Sequence, residues 1–263
     1  MEIKITNKSK ADVFTLIFQH LKLFTDKVSI QINEDNLYVQ GMDDNHVSIF
    51  EINLQKEWFD HYHVHESDIT LGINAVLFFK ILNTRGDGQD IRLYSCENDN
   101  LEIDFTSESD TKSDFNKYFK MPLMDLDLEQ LGIVDNEYDL EYSMNSKKFK
   151  GLVDQLASFS DVMQIKYSED VISLKAESDC AEGSMEIKID IDDMESCAVE
   201  ETANFSVTYS IRFIQHMMQY FKVCATTEFY VSPDLPLQIK YKLDENEQNY
   251  IRFFLAPKIN DDV

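Results

Sequence analysis

Three histidines, His61, His63 and His65, alternate along the chain, and alternation on a β-strand places all three imidazoles on one face. Such a trio could bind zinc or nickel. Solvent-exposed strand histidines without a metal are the plainer expectation. Asp125, Asp127 and Glu129 repeat at the spacing that opens a calcium loop. The run lacks the glycine at its sixth position and the glutamate at its twelfth, so no metal is expected there. The four cysteines, Cys96, Cys180, Cys197 and Cys224, are far apart with no C-x-x-C pair. They read as reduced thiols of an intracellular protein rather than a disulfide frame or a zinc site. The sequence holds no Walker A loop, no G-x-S-x-G elbow and no G-x-G-x-x-G fingerprint. Nothing supports nucleotide hydrolysis, and no cofactor is expected. A metal-dependent enzyme on the histidine face is the one catalytic alternative, and metal analysis of the purified protein would discriminate it.

The basic residues carry more information. Lys+Arg number 24 and Asp+Glu 49, for a net charge of −25. A chain this acidic should repel nucleic acid, because duplex binding rests on cations that neutralise phosphates. Yet four stretches with helical periodicity, 8–27, 72–86, 145–160 and 209–223, hold 11 basic residues against 3 acidic ones, a net +8. The remainder of the chain is at −33. Lysine and arginine suit any helix surface. Four basic helices in so acidic a chain favour a face that meets phosphate, while the acidic remainder discourages binding elsewhere. No stretch holds five adjacent cations, so one chain alone should bind weakly.

The elements that position these residues follow from composition and pattern. The 263 residues are 43% hydrophobic and 28% charged, with 7 Gly and 4 Pro. That describes a globular chain of one large or two ordinary domains, and it excludes disorder and collagen-like structure. No run approaches the roughly 18 apolar residues that span a bilayer. Met1 to Ile5 alternates polar and apolar residues instead of forming an apolar signal core, so secretion is not expected.

The chain also repeats itself. At an offset of 135, Phe14, Leu21, Phe24, Asp26, Ile30, Glu34 and Asp35 meet Phe149, Leu156, Phe159, Asp161, Ile165, Glu169 and Asp170. Ile69 to Ile73 meets Val207 to Ile211, and Leu93 to Phe105 meets Phe229 to Tyr241, at nearly the same offset. Each copy opens on a helical stretch, with Val13, Leu16, Ile17, His20, Leu21 and Phe24 at three- and four-residue spacing in the first. Alternating strands follow, such as Val28–Ile32 and Leu37–Gln40, joined by a turn at Asn33–Asn36. A second helical stretch and more strands close the copy. The fold expected is α+β with antiparallel sheets, two short helices per domain and four in the chain. The domains are placed at 1–120 and 139–263. The acidic, partly apolar segment 121–138 between them matches neither copy and reads as a connector. Its stripe Leu123, Leu126, Leu128, Leu131 and Ile133 should lie against the body of the protein.

This connector, Leu123-Met-Asp-Leu-Asp-Leu-Glu-Gln-Leu-Gly-Ile133, closely resembles that of the proliferating cell nuclear antigen family, the eukaryotic DNA sliding clamps. The segment Gln40–Leu54, the Pro233-Asp-Leu-Pro-Leu237 turn and the tail Leu255-Ala-Pro-Lys-Ile-Asn-Asp-Asp262 also resemble it, and the likeness spans the whole chain.

The resemblance implies a non-enzymatic ring. Two clamp domains form each subunit and three subunits close head to tail, with sheets outside and the four basic helices of each chain inside around duplex DNA. Lys10, Lys22, Lys80, Lys147, Lys150, Arg212 and Lys222 would face phosphates without reading sequence. The implied partners are DNA, further copies of the chain, a DNA polymerase, a clamp-loader ATPase, a flap nuclease and a ligase. The proteins would dock short apolar and aromatic motifs into a pocket of Met42, His46, Val47, Ile49, Leu126, Leu128, Leu131, Ile133, Tyr138, Pro236, Phe254, Ala256 and Pro257. No membrane is implied, and the location would be the nucleus or the replication compartment of a large DNA virus. Several positions depart from the family pattern. Val134 replaces a proline after Leu-Gly-Ile, Gly151 and Asp154 replace basic residues, Gln219 replaces a lysine, and Glu169 stands where eukaryotic members carry the ubiquitin-accepting lysine, with Lys166 nearby. These departures point to a divergent member from a protist or a large DNA virus. The alternative is a clamp-like subunit of a hetero-oligomeric DNA-damage or repair complex.

Overall fold

The computed structural model describes residues 1–64, 68–95, 99–107, 115–126, 131–178 and 183–258. The chain folds as two compact units. The first comprises Met1–Asp44, Glu51–Leu131 and Asn246–Tyr250, and the second Asn45–Phe50, Gly132–Glu245 and Ile251–Val263.

One element order occurs twice. The first pass is β1 (Glu2–Ile5), α1 (Lys8–Leu21), β2 (Lys27–Asn33), β3 (Asn36–Met42), β4 (Ser48–Gln55), β5 (His61–His63), β6 (Asp68–Asn74), α2 (Ala75–Leu82), β7 (Asp90–Tyr94), β8 (Asn100–Thr106) and β9 (Lys117–Pro122). The second is β10 (Leu140–Asn145), α3 (Ser146–Leu156), β11 (Val162–Ser168), β12 (Val171–Glu177), β13 (Ser184–Asp190), β14 (Ser196–Val199), β15 (Phe205–Ser210), α4 (Ile211–Met217), β16 (Thr226–Val231), β17 (Leu237–Lys242) and β18 (Tyr250–Leu255). The α+β expectation holds, and the described helices are four. None of them is long and apolar enough to cross a membrane.

Pairing repeats with the order. β1 lies between β5 and β7, as β10 lies between β14 and β16, all antiparallel. β2 lies between β3 and β6, as β11 lies between β12 and β15. Single backbone bonds repeat too. Lys56 N–H donates to Asp35 O, and Ile191 N–H donates to Asp170 O. Ala75 N–H donates to Asp26 O, and Ile211 N–H donates to Asp161 O. The acidic pairs that aligned in the sequence therefore do the same backbone work in both copies.

The helices form where apolar periodicity meets a cap. α1 buries Ala11, Phe14, Ile17, Phe18 and Leu21, and the Asn7 side chain accepts from Lys10 N–H at 3.1 Å. Asn74 caps α2 through Leu77 N–H, and Asn145 caps α3 through Lys148 N–H. Each such cap contributes about 1 kcal/mol. α4 begins at Ser210 without a side-chain cap bond and ends early, passing into a 3-10 turn over Met218–Lys222. Rings fill the core of each unit. Phe18 meets Phe78 edge-on at 4.7 Å, binding α1 to α2. Phe149 lies 4.2 Å from Phe229, which stacks on Tyr142 at 4.8 Å.

The outer strands end in different ways. β5 and β14 are only three and four residues long. On β6, Gly72 O accepts from Met124 N–H of the connector at 2.8 Å. On the equivalent β15, Thr208 O accepts from Lys258 N–H of the tail at 2.7 Å. β9 and β13 each end a sheet, with one strand neighbour among the described residues.

Candidate functional site

In the first unit, Lys22 and Lys80 are exposed and have no carboxylate partner among the described residues. The Lys22 ammonium lies 5.0 Å from the Phe79 ring, and that of Lys10 lies 5.8 Å from Trp58. Phe79 and Trp58 thereby seat two cations at the protein surface. In the second unit, Lys147, Lys148, Arg212 and Lys222 are exposed, again without a carboxylate partner among the described residues.

Three cations counted as free in the sequence are held internally. Lys8 is paired with Asp87. Arg85 is paired with Asp12 and donates to Gln89 O at 3.1 Å; its side chain is 8% exposed, so it stitches α1 to the loop after α2 rather than presenting charge. Lys150 is paired with Asp154 one turn along α3. The net +8 of the helical stretches is therefore an upper bound on what reaches a ligand.

The partner-pocket residues divide between the units. In the first, the connector is fastened at two points. The Gln40 side-chain amide clasps Leu131 from both sides, donating to Leu131 O at 2.9 Å and accepting from Leu131 N–H at 2.7 Å. Further up, Met124 crosses Gly72 so closely that a β-carbon there would lie 2.1 Å from Met124 O and 2.9 Å from Leu126 Cγ. Leu123, Leu126 and Leu131 are half-buried as expected, and so is Met42 at the end of β3. Leu128 lies outside the described residues.

In the second unit, Val47 O accepts from Ala256 N–H at 3.0 Å, which joins two of the expected lining residues. Tyr138 hydroxyl donates to Pro236 O at 3.3 Å, and its ring lies 5.6 Å from Tyr230. Burial pushes the Tyr138 phenol above its ordinary pKa. Ile49, Ile133 and Pro257 are half-buried, and His46 is exposed with a positive φ of 58°. Phe254 is 7% exposed and belongs to the core more than to a pocket lip. Beside it, Arg252 lies 5.3 Å from the Phe254 ring and donates to Asp135 at 2.7 Å. Sequence reasoning missed Gln40, Gly72, Arg252 and Asp135. Only Gly72 left a signal, as a glycine inside a strand pattern, which marks close backbone approach.

The other constellations come to less. His61 and His63 are exposed on β5 with ring centroids 6.4 Å apart, and His65 lies outside the described residues. Among the described residues no group of three ligating side chains converges. Asp127 and Glu129 also lie outside the described residues, as do Cys96 and Cys180, while Cys197 and Cys224 are free thiols.

A chain made of two copies of one α+β domain, with exposed lysines on its helices and a connector clasped back onto its own domain, is a chain of the sliding-clamp class. The family model for the N-terminal domain of proliferating cell nuclear antigen matches residues 1–130, and the model for the C-terminal domain matches 132–258. The chain belongs to the proliferating cell nuclear antigen family, whose clamps are non-enzymatic scaffolds. The proliferating cell nuclear antigen of Chaetomium thermophilum is 27% identical over 259 residues, covering 96% of this chain and 97% of that protein.

Proposed function

We propose that three copies of the chain close into a ring around duplex DNA and act as a polymerase processivity factor. The same ring serves as a docking platform for the clamp loader, flap nuclease and ligase, in the nucleus or a viral replication compartment. Its working parts are domains 1–120 and 139–263, with the connector 121–138 and the tail as the partner surface.

The observation that carries the reading is the state of the strand edges. Open edges invite pairing, and proteins shorten or cover those not meant to pair. β5 and β14 are short, β6 is covered by the connector, and β15 by the tail. β9 and β13 are six and seven residues long and carry no such cover among the described residues. By chain order β9 is the counterpart of β18 and β13 the counterpart of β4. One lies in each unit, so pairing β9 of one copy with β13 of the next is heterologous and closes a ring where the rotation allows. Lys22, Lys80, Lys147, Lys148, Arg212 and Lys222 then supply sequence-independent phosphate contacts, the kind that permits sliding.

Light scattering at low and moderate salt tests the assembly. A mass near three times 30.7 kDa supports the ring. A monomer or dimer at every salt and concentration refutes it and favours the hetero-oligomer. Processivity on primed circular DNA then tests the activity.

A further inference from the structure

The third helix carries a carboxylate on its basic face. Asp154 accepts from the Lys150 ammonium and, at 3.3 Å, from the Gln215 amide of α4. Across from it, the Lys150 ammonium lies 5.7 Å from the Phe221 ring, which seats Lys222 at the same distance. Lys150 is therefore boxed between a carboxylate and a ring, with its side chain 21% exposed, while Asp154 is 43% exposed.

Helix stability does not account for this carboxylate. It stands in the last turn of α3, where the macrodipole disfavours negative charge. The pair also runs lysine first and acid second, the weaker order for this spacing. A half-exposed pair of this kind is weak enough for a competing anion to displace.

We propose that Asp154 is an internal competitor for DNA phosphate. It occupies Lys150 until a phosphate takes its place, and so it loosens the grip of the basic face on DNA. The proposal rests on the DNA-encircling reading above. Because Lys150 must give up one anion to gain another, its net contribution to affinity is small. Asp154→Asn keeps the side-chain shape and the Gln215 contact but frees the lysine.

The test is fluorescence anisotropy of a short labelled linear duplex with the full chain, across a salt series. Asp154→Asn is expected to bind more tightly than wild type at low salt, with a salt slope steeper by up to about 0.9 per lysine released. For one released lysine, that advantage shrinks about 3.5-fold when salt rises fourfold. Asp154→Ser, a second route to the same loss of charge, should behave alike. Asp193→Asn removes one charge from an exposed position in the short 3-10 turn Ile191–Asp193, outside the four basic stretches, and should match wild type. Lys150→Ala with Asp154→Asn should erase the gain. The proposal is overturned if Asp154→Asn binds no more tightly than wild type, or if Asp193→Asn gains as much. Failure of the underlying reading is separate: Lys22→Ala, Lys80→Ala and Arg212→Ala together would then leave duplex binding unchanged.

Discussion

Replacing Gly72 by alanine should unfasten the connector while leaving the sheet beneath it intact. The added β-carbon would lie 2.1 Å from Met124 O, whereas real β-carbons essentially never come closer than 3.0 Å, so the connector must retreat by about 0.9 Å. That retreat stretches the 2.8 Å bond from Met124 N–H to Gly72 O beyond hydrogen-bond length. The lost bond costs about 1 kcal/mol. Partial exposure of Leu126, whose Cγ lies 2.9 Å from the same point, costs about another 1 kcal/mol. Together these raise the open population of the connector about 25-fold. The strand itself should tolerate alanine, because glycine in a strand interior is about 0.5–1 kcal/mol worse than alanine. Hydrogen exchange at the Met124 amide should therefore accelerate by about that factor, and affinity for a short apolar-aromatic partner peptide should fall. Global stability should fall by no more than about 1–1.5 kcal/mol, the connector's loss less the strand's gain. If Met124 exchanges at the wild-type rate in Gly72→Ala, the connector is not held through this contact and the reasoning fails.

Gln40→Ala removes both bonds to Leu131 and should weaken the lower clasp by about 2 kcal/mol, read as faster exchange at the Leu131 amide. Arg85→Lys cannot reproduce the fork that reaches both Asp12 and Gln89 O, so it should cost about 2 kcal/mol, or roughly 4–8 °C in Tm; Arg212→Lys on the exposed face should leave Tm unchanged. Asp60 accepts from Thr6 N–H at 2.6 Å and Asn7 N–H at 2.9 Å. Burial pulls its carboxyl pKa up, but those backbone donors and Lys10 outweigh it, so the folded value lies below the ordinary one. A group depressed in this way stabilises the fold above its unfolded pKa of about 3.9 and loses that contribution as pH falls through the folded value. The stability gap between wild type and Asp60→Asn, from urea unfolding, should hold from neutral pH to about pH 5 and shrink below about pH 4; an unchanged gap in acid would refute the assignment.

The helices and the repeat were legible because each is written locally. Phe14, Ile17 and Leu21 mark one face of α1, and Asp26 and Asp161 match by counting alone. What the sequence hid is set by distance along the chain. A charge count adds Arg85 to the basic helices, yet its partner Asp12 lies 73 residues away, and the pairing turns a counted charge into a helix stitch. Gln40 reads as one more polar strand residue because Leu131, which it clasps, is 91 positions distant. Matching residue type also does not fix burial. Phe24 is 3% exposed and its repeat partner Phe159 is 42% exposed.

The same limit applies to net charge as a guide to function. At −25 the chain looks unfit for DNA, and its fitness depends on where cations lack a carboxylate, not on the total. The structure sorts them residue by residue. Lys8, Arg85 and Lys150 are spent on Asp87, Asp12 and Asp154, while Lys22, Lys80, Lys147, Lys148, Arg212 and Lys222 keep theirs for a ligand. These six exposed cations alone give a weak grip, with a salt slope of about 5 if all reach phosphate. In the proposed ring, three copies around one duplex would multiply the contacts, and topological closure would relieve each of them of having to be tight. A ring that must both hold and move is served by cations that are few per chain, exposed and partly screened. Raising the affinity by removing an internal carboxylate should therefore slow translocation along DNA.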